Sequence, residues 1–184
     1  MTMKCPVCKD NLLQATVLDW EMPAYKCDRC EGVWIPANDY LAWLKDQGAH
    51  AHLDHAAATA SPMDVPSPKF CPNCSKVMRR FKVLPNVDLY LDRCSQCNGV
   101  WCDQNEWGWL VANNLQDKIN LLFTQPWQTR LREQETKTAL EKVYLERFGE
   151  VDYSKLKEIW IWLRFHPQRG MLLAYLQAEN PYKM

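Results

Sequence analysis

The sequence predicts two small β ribbons in tandem, each closed by four cysteines and trailed by a short helix, followed by an all-α C-terminal region. Three observations carry this reading. Eight of the nine cysteines fall into four Cys-x-x-Cys pairs. The pairs come in two sets that repeat in register. From about Leu115 the texture changes to long helical periodicity.

Cys5-Pro6-Val7-Cys8 recurs as Cys71-Pro72-Asn73-Cys74, and Cys27-Asp28-Arg29-Cys30-Glu31-Gly32-Val33-Trp34 recurs as Cys94-Ser95-Gln96-Cys97-Asn98-Gly99-Val100-Trp101. The two copies are offset by 66 residues at the first pair and 67 at the second. The register persists beyond the tryptophans, where Asp39 matches Glu106, Tyr40 matches Trp107 and Trp43 matches Leu110. The implied organisation is ribbon one at residues 1–46, a linker at 47–69, ribbon two at 70–112 and a helical region at 113–184. The linker is marked by Ala, His, Ser and Pro, including Pro62, Pro66 and Pro68. Its His50, His52 and His55 read as solvated residues of such a segment.

Within ribbon two, Val87, Leu89 and Leu91 alternate with Asp88, Tyr90 and Asp92, the period of a strand, with Pro85-Asn86 as the turn before it. Leu12 to Leu18 and Met22 to Lys26 are the counterparts in ribbon one. Asn38 and Asn105 are placed to cap short helices. In the C-terminal region Pro126 suits a first helical position, Gly149 follows the end of that run, and Asp152 is placed to cap the next. His166-Pro167 breaks the second helix, and a last one runs from about Gln168 to Glu179. Such stripes predict a small helical bundle.

A ribbon of this size cannot bury enough apolar surface to offset its ordering entropy. Four thiolates around one ion supply the missing free energy, because metal binding then becomes folding energy. The ligand sets are Cys5, Cys8, Cys27, Cys30 and Cys71, Cys74, Cys94, Cys97. Two structural Zn²⁺ ions are expected, with iron as the rival metal for the same donors. A closed four-sulfur shell has no open position for water or substrate, so the sites are read as structural. Cys102 aligns with Ile35 and reads as a small buried hydrophobe. Trp34 and Trp101 read as lids over the metal sites.

The string Cys-Pro-x-Cys, a hairpin, then Cys-x-x-Cys-x-Gly-Val-Trp with an acidic residue soon after resembles the bacterial TFIIB-type zinc-finger family of transcription-factor zinc ribbons. Copy two fits better, with Trp101, Asp103 and Glu106 in place, whereas copy one has Pro36 at the position of Asp103. The resemblance covers about residues 4–44 and 70–110, and implies zinc binding, a ribbon fold and a link to transcription.

Equal numbers of basic and acidic residues leave no net field to attract nucleic acid. Locally, Lys69, Lys76, Arg79, Arg80 and Lys82 form a basic run, with Phe70 and Phe81 interleaved. Lys76, Arg79, Arg80 and Lys82 are therefore the nucleic-acid candidates. Trp107, Trp109 and Trp162 lie off the clearest apolar stripes and are the candidates for contact with a partner. No phosphate loop, no nucleophile paired with a base and no open metal site is readable, so the chain reads as a non-enzyme. The absence of a signal peptide or apolar span predicts a cytoplasmic protein. The functional expectation is a zinc-binding adaptor that docks a protein, with nucleic-acid binding and thiol-redox or metal handling as alternatives.

Overall fold

The computed structural model describes residues 2–47 and 61–182; the three linker histidines lie outside them. The chain forms two compact units, Met1–Gln134 and Glu135–Met184.

In the first unit, ribbon one supplies β1 (Gln14–Leu18), β2 (Met22–Lys26) and β3 (Val33–Ile35), followed by helix α1 (Ala37–Gln47). Ribbon two supplies β4 (Met78–Lys82), β5 (Tyr90–Cys94) and β6 (Val100–Cys102), followed by α2 (Glu106–Ala112) and the single turn α3 (Ile119–Leu122). The expected hairpins are present, with Asn86 at positive φ in the turn before β5. The two ribbons are not separate. They join through β3 and β6 into one six-stranded antiparallel sheet of order β1-β2-β3-β6-β5-β4. That order reads the same from either edge, and Trp34 pairs with Trp101 at the point of symmetry.

The pleat sends alternate side chains to opposite faces. One face carries Met22, Ala24, Val33, Ile35, Leu91, Val100 and Cys102, and the helices cover it with Tyr40, Trp43, Trp107, Leu110, Ile119 and Leu122. Cys102 is thus a core residue, as its alignment with Ile35 implies. The other face carries Trp34 and Trp101 among the metal-site cysteines, Leu13 and Met78.

Helix α1 turns Tyr40 and Trp43 inward at a spacing of three, and α2 does the same with Trp107, Leu110 and Val111. The Tyr40 hydroxyl donates to the Gln116 carbonyl at 2.8 Å and accepts from the Ile119 amide at 3.2 Å, which fixes the start of α3 over the sheet. Asn38 does not cap α1, because that helix already begins at Ala37. Asn105 does precede α2, but in a left-handed conformation, and its side chain donates to the Ser61 carbonyl rather than to the helix.

Helix α4 (Gln125–Arg164) is interrupted at Gly149, whose φ of 75° and ψ of 164° no helix contains. Its first turns belong to the first unit. Trp127 donates to the Val83 carbonyl, Gln128 donates to the Lys82 carbonyl, and Leu131 is buried. The segment from Trp127 is therefore more deeply packed than its sparse apolar content predicts.

In the second unit Lys157 reaches Glu141 at 3.6 Å and Tyr144 meets Tyr153 at 5.9 Å between ring centres. Sixteen residues of straight helix would span about 24 Å. The chain therefore reverses at Gly149 into a helical hairpin, followed by α5 (Arg169–Gln177). Among the described residues of this unit only Leu163 is a buried hydrophobe. The expected helices are present, but their apolar stripes do not close into a buried bundle core.

Candidate metal centres

Each ribbon brings its four cysteines to one point by the same local route. The Cys5 carbonyl accepts from the Lys9 amide and the Cys27 carbonyl from the Glu31 amide, two tight turns that aim their sulfurs together. Cys71 with Ser75 and Cys94 with Asn98 repeat these bonds. The residue closing each turn has positive φ. The hairpin between the pairs brings the turns side by side.

In site one, Cys5 Sγ lies 3.5 Å from Cys30 Sγ and Cys27 Sγ lies 3.9 Å from Cys8 Sγ. In site two, Cys71 to Cys97 is 3.5 Å and Cys74 to Cys94 is 3.4 Å. All eight cysteines are free thiols. A tetrahedral zinc thiolate with bonds of about 2.3 Å has sulfur–sulfur edges of about 3.8 Å, so both donor sets fit such an ion. The first cysteine of each pair is buried and the second half-buried, and among the described residues neither cluster includes a nitrogen or oxygen ligand.

Burial pushes the Cys5 thiol up to about 11 and raises Cys30 further. At Cys27 burial is outweighed by the Cys30 amide and the Asn11 side chain, and the thiol falls to about 7. Cys94 falls to about 7 in the same way, through the amides of Cys97 and Gln96 and the Cys74 thiol, while burial raises Cys71 and Cys97. Each site therefore has one thiol lowered from its ordinary value, the one most readily deprotonated.

Trp34 and Trp101 do more than cover their own sites. Each crosses to the opposite ribbon. A Cβ on Gly99 would lie 2.3 Å from Trp34 Cζ2, and one on Gly32 would lie 2.2 Å from Trp101 Cζ2. The glycine after each second cysteine pair is thus required by the tryptophan of the other copy.

The nucleic-acid candidates do not share a surface. On β4, Arg79 stacks on Phe81 at 5.5 Å, while Arg80 and Lys82 turn to the opposite face over Tyr90 at 4.0 and 5.7 Å. Arg80 is also paired with Asp64. Lys76 and Arg79 are exposed. Lys69 is absent from the surface altogether. It is fully buried, 2.7 Å from Asp92 and 3.0 Å from Asp103, and donates to the Val65 carbonyl.

Sequence reasoning missed this network. Trp101 Nε1 donates to Asp103 at 2.7 Å, and the Val65 amide donates to the same carboxylate. Glu106 accepts from the Asp103 amide, and burial pushes its carboxyl up to about 9. Asp64, Asp103 and Glu106 converge closely enough for a cation, but Lys69 and Arg80 already supply the positive charge.

Of the partner candidates, Trp107 is a correction: it is a core residue, and its indole donates to Asp19 at 2.7 Å. Trp109 is half-buried against the core, and Trp162 is 54% exposed.

Residues 4–46 match the family described as transcription factor zinc-finger, the TFIIB-type zinc ribbon. No curated protein and no solved structure matched the chain. No helix among the described residues is long and apolar enough to cross a membrane. The matched segment is ribbon one, which is similar to the TFIIB-type zinc-finger family, and the second four-cysteine cluster sits in a second ribbon with the same hairpin setting.

Proposed function

We propose that this chain is a non-catalytic zinc-binding adaptor that docks a protein partner, in a transcription-related setting, with two structural zinc ions holding its paired ribbons. The observation that carries the docking role is the apolar surface of the second unit. There Trp160 and Ile161 are each 58% exposed, Trp162 is 54% exposed and Phe165 is 78% exposed, in a unit that buries almost nothing of its own. Large exposed aromatic residues supply much of the affinity at protein interfaces. The closed sulfur shells favour a structural role for the metal.

The test is crosslinked capture of partners by the zinc-loaded full chain and by a variant with Trp160→Ser, Trp162→Ser and Phe165→Ser. Recovery should fall at least about ten-fold, as expected for loss of an aromatic hot spot. Unchanged recovery would sink the role of the helices. Any truncation should start at Glu135, because residues 113–134 include the core residues Leu115, Ile119, Leu122, Phe123 and Leu131.

Nucleic-acid binding is the weaker reading, since Arg80 and Lys82 face away from Arg79 and Arg80 is neutralised by Asp64. Salt-sensitive binding of DNA or RNA that is lost on Arg79→Glu would reinstate it.

A further inference from the structure

The two ribbons are related by near-symmetry, but their outer surfaces are not filled alike. On ribbon two, residues 61–65 run as an extended strap past the start of α2. The Met63 amide donates to the Gln104 carbonyl at 3.0 Å, the Val65 amide donates to Asp103 at 2.9 Å, and Asn105 donates to the Ser61 carbonyl at 3.2 Å. The corresponding place on ribbon one is an open groove of about 470 Å³ at the start of α1. Its walls come from both ribbons, because Asn73 and Cys97 of ribbon two complete it.

The repeat register equates the two surfaces residue by residue. Ala37 and Asn38 occupy the positions of Gln104 and Asn105, the residues that hold the strap's backbone. The floor has changed character. Met3 replaces Lys69, Tyr25 replaces Asp92 and Pro36 replaces Asp103, so three buried charges become an apolar floor beside Trp34. Asp39 replaces Glu106 and, among the described residues, is the one carboxylate lining the groove, with the metal-site Cys97 as the other anionic group there.

Charge decides what fits. The strap brings Asp64 against Asp103 and Glu106, which is tolerable because Arg80 and Lys69 are beside it. The strand register puts Ala15 opposite Tyr25 where Arg80 stands opposite Asp92. An acidic residue laid at that point on ribbon one would meet Asp39 with no cation from either position. A Lys or Arg there would pair with Asp39.

We propose that this groove binds an extended, proline-containing peptide segment of a partner protein, in which apolar residues flank one Lys or Arg, in the pose that residues 61–65 take on ribbon two. The proposal rests on the adaptor reading and gives that reading a surface and a peptide chemistry. Backbone hydrogen bonds would supply register and the apolar floor would supply affinity, as in other extended-peptide sites.

The test is a nuclear magnetic resonance titration of the zinc-loaded full chain with two capped hexapeptides. One is the sequence of residues 61–66, and the other is the same sequence with Asp64→Lys. The lysine peptide should give saturable shifts at Met3, Tyr25, Asn38 and Asp39, with affinity about ten-fold tighter than the aspartate peptide, the worth of one charge-assisted contact. Asp39→Asn should bring the two peptides within about two-fold of each other. Millimolar lysine peptide that leaves these residues unshifted overturns the proposal, as does equal affinity for both peptides or a preference unchanged by Asp39→Asn. The adaptor reading is tested separately by the Trp160, Trp162 and Phe165 variant, which leaves the groove untouched. A silent groove with tail-dependent capture would remove the groove alone.

Discussion

Gly99→Ala tests how the two ribbons are joined. The new methyl would lie 2.3 Å from Trp34 Cζ2 and 2.5 Å from Cη2. Carbon atoms prefer about 3.5–4.0 Å, so the indole must retreat by more than about 1 Å. Its room to move is small, because Trp34 is only 1% exposed and packs within the cluster of metal-site cysteines, with only the groove at the start of α1 beside it. Overpacking of a filled core costs about 1–3 kcal/mol, and a clash with a rigid ring belongs at the upper end. For a chain of this length about 3 kcal/mol lowers the melting temperature by roughly 6–12 °C. The assay is thermal and denaturant unfolding at fixed free zinc, followed by tryptophan fluorescence. The decisive arm is the double variant Gly99→Ala with Trp34→Leu, which removes the ring that the methyl meets. There the glycine substitution should cost less than about 1 kcal/mol, a coupling of about 2 kcal/mol or more. A Gly99→Ala protein as stable as the parent, or an equal cost in both backgrounds, would refute the crossed packing of the ribbons.

Gly108 offers the opposite case. It is exposed in α2 with nothing near its missing Cβ, so Gly108→Ala should stabilise the chain by about 0.5–1 kcal/mol in the same unfolding assay. Lys69→Met leaves Asp92 and Asp103 buried without their cation and should cost about 3–5 kcal/mol; a loss under about 1 kcal/mol would show that the network is solvated. Glu106 has its folded carboxyl raised from an ordinary 4.5 to about 9 by burial, so its stabilising contribution is complete below about 4.5 and is lost as pH rises towards 9. Glu106→Gln, which keeps an acceptor for the Asp103 amide, should therefore gain stability over the parent progressively from pH 5 to pH 9. A difference between the two proteins that does not change with pH would contradict a buried neutral acid.

The ribbons, their eight cysteines and the strand alternation of β5 were readable because each depends on residues close in sequence. The edge-to-edge union was not. Strands β3 and β6 are three residues each and buried at every position, so period-two alternation has no exposed face on which to appear. Its trace was present all the same, in a Gly-Val-Trp string repeated in both copies with no local need for the glycine. Lys69 was misplaced for a related reason. Composition assigns a lysine in a basic run to the surface, whereas its repeat partner is Met3, an apolar residue beside the first cysteine pair. Asp92 fell on the solvent side of the alternation, which residues 61–69 then cover. Trp107 could have been placed correctly, since Tyr40 occupies its position in copy one and Leu110 and Val111 follow at helical spacing. The helical tail was legible as helices but not as a bundle, because stripe positions do not reveal whether a covering partner lies within the chain.

The proposed structure of the paired ribbons depends on two closed four-sulfur zinc sites. Metal analysis of the purified chain by mass spectrometry, combined with zinc-edge X-ray absorption, tests it most directly. Two zinc ions per chain are expected, each with four sulfur ligands at about 2.3 Å and no nitrogen or oxygen, and one ion in a Cys71→Ser, Cys94→Ser variant. Bound iron in place of zinc, a single ion per chain, or oxygen or nitrogen in the coordination shell would contradict this.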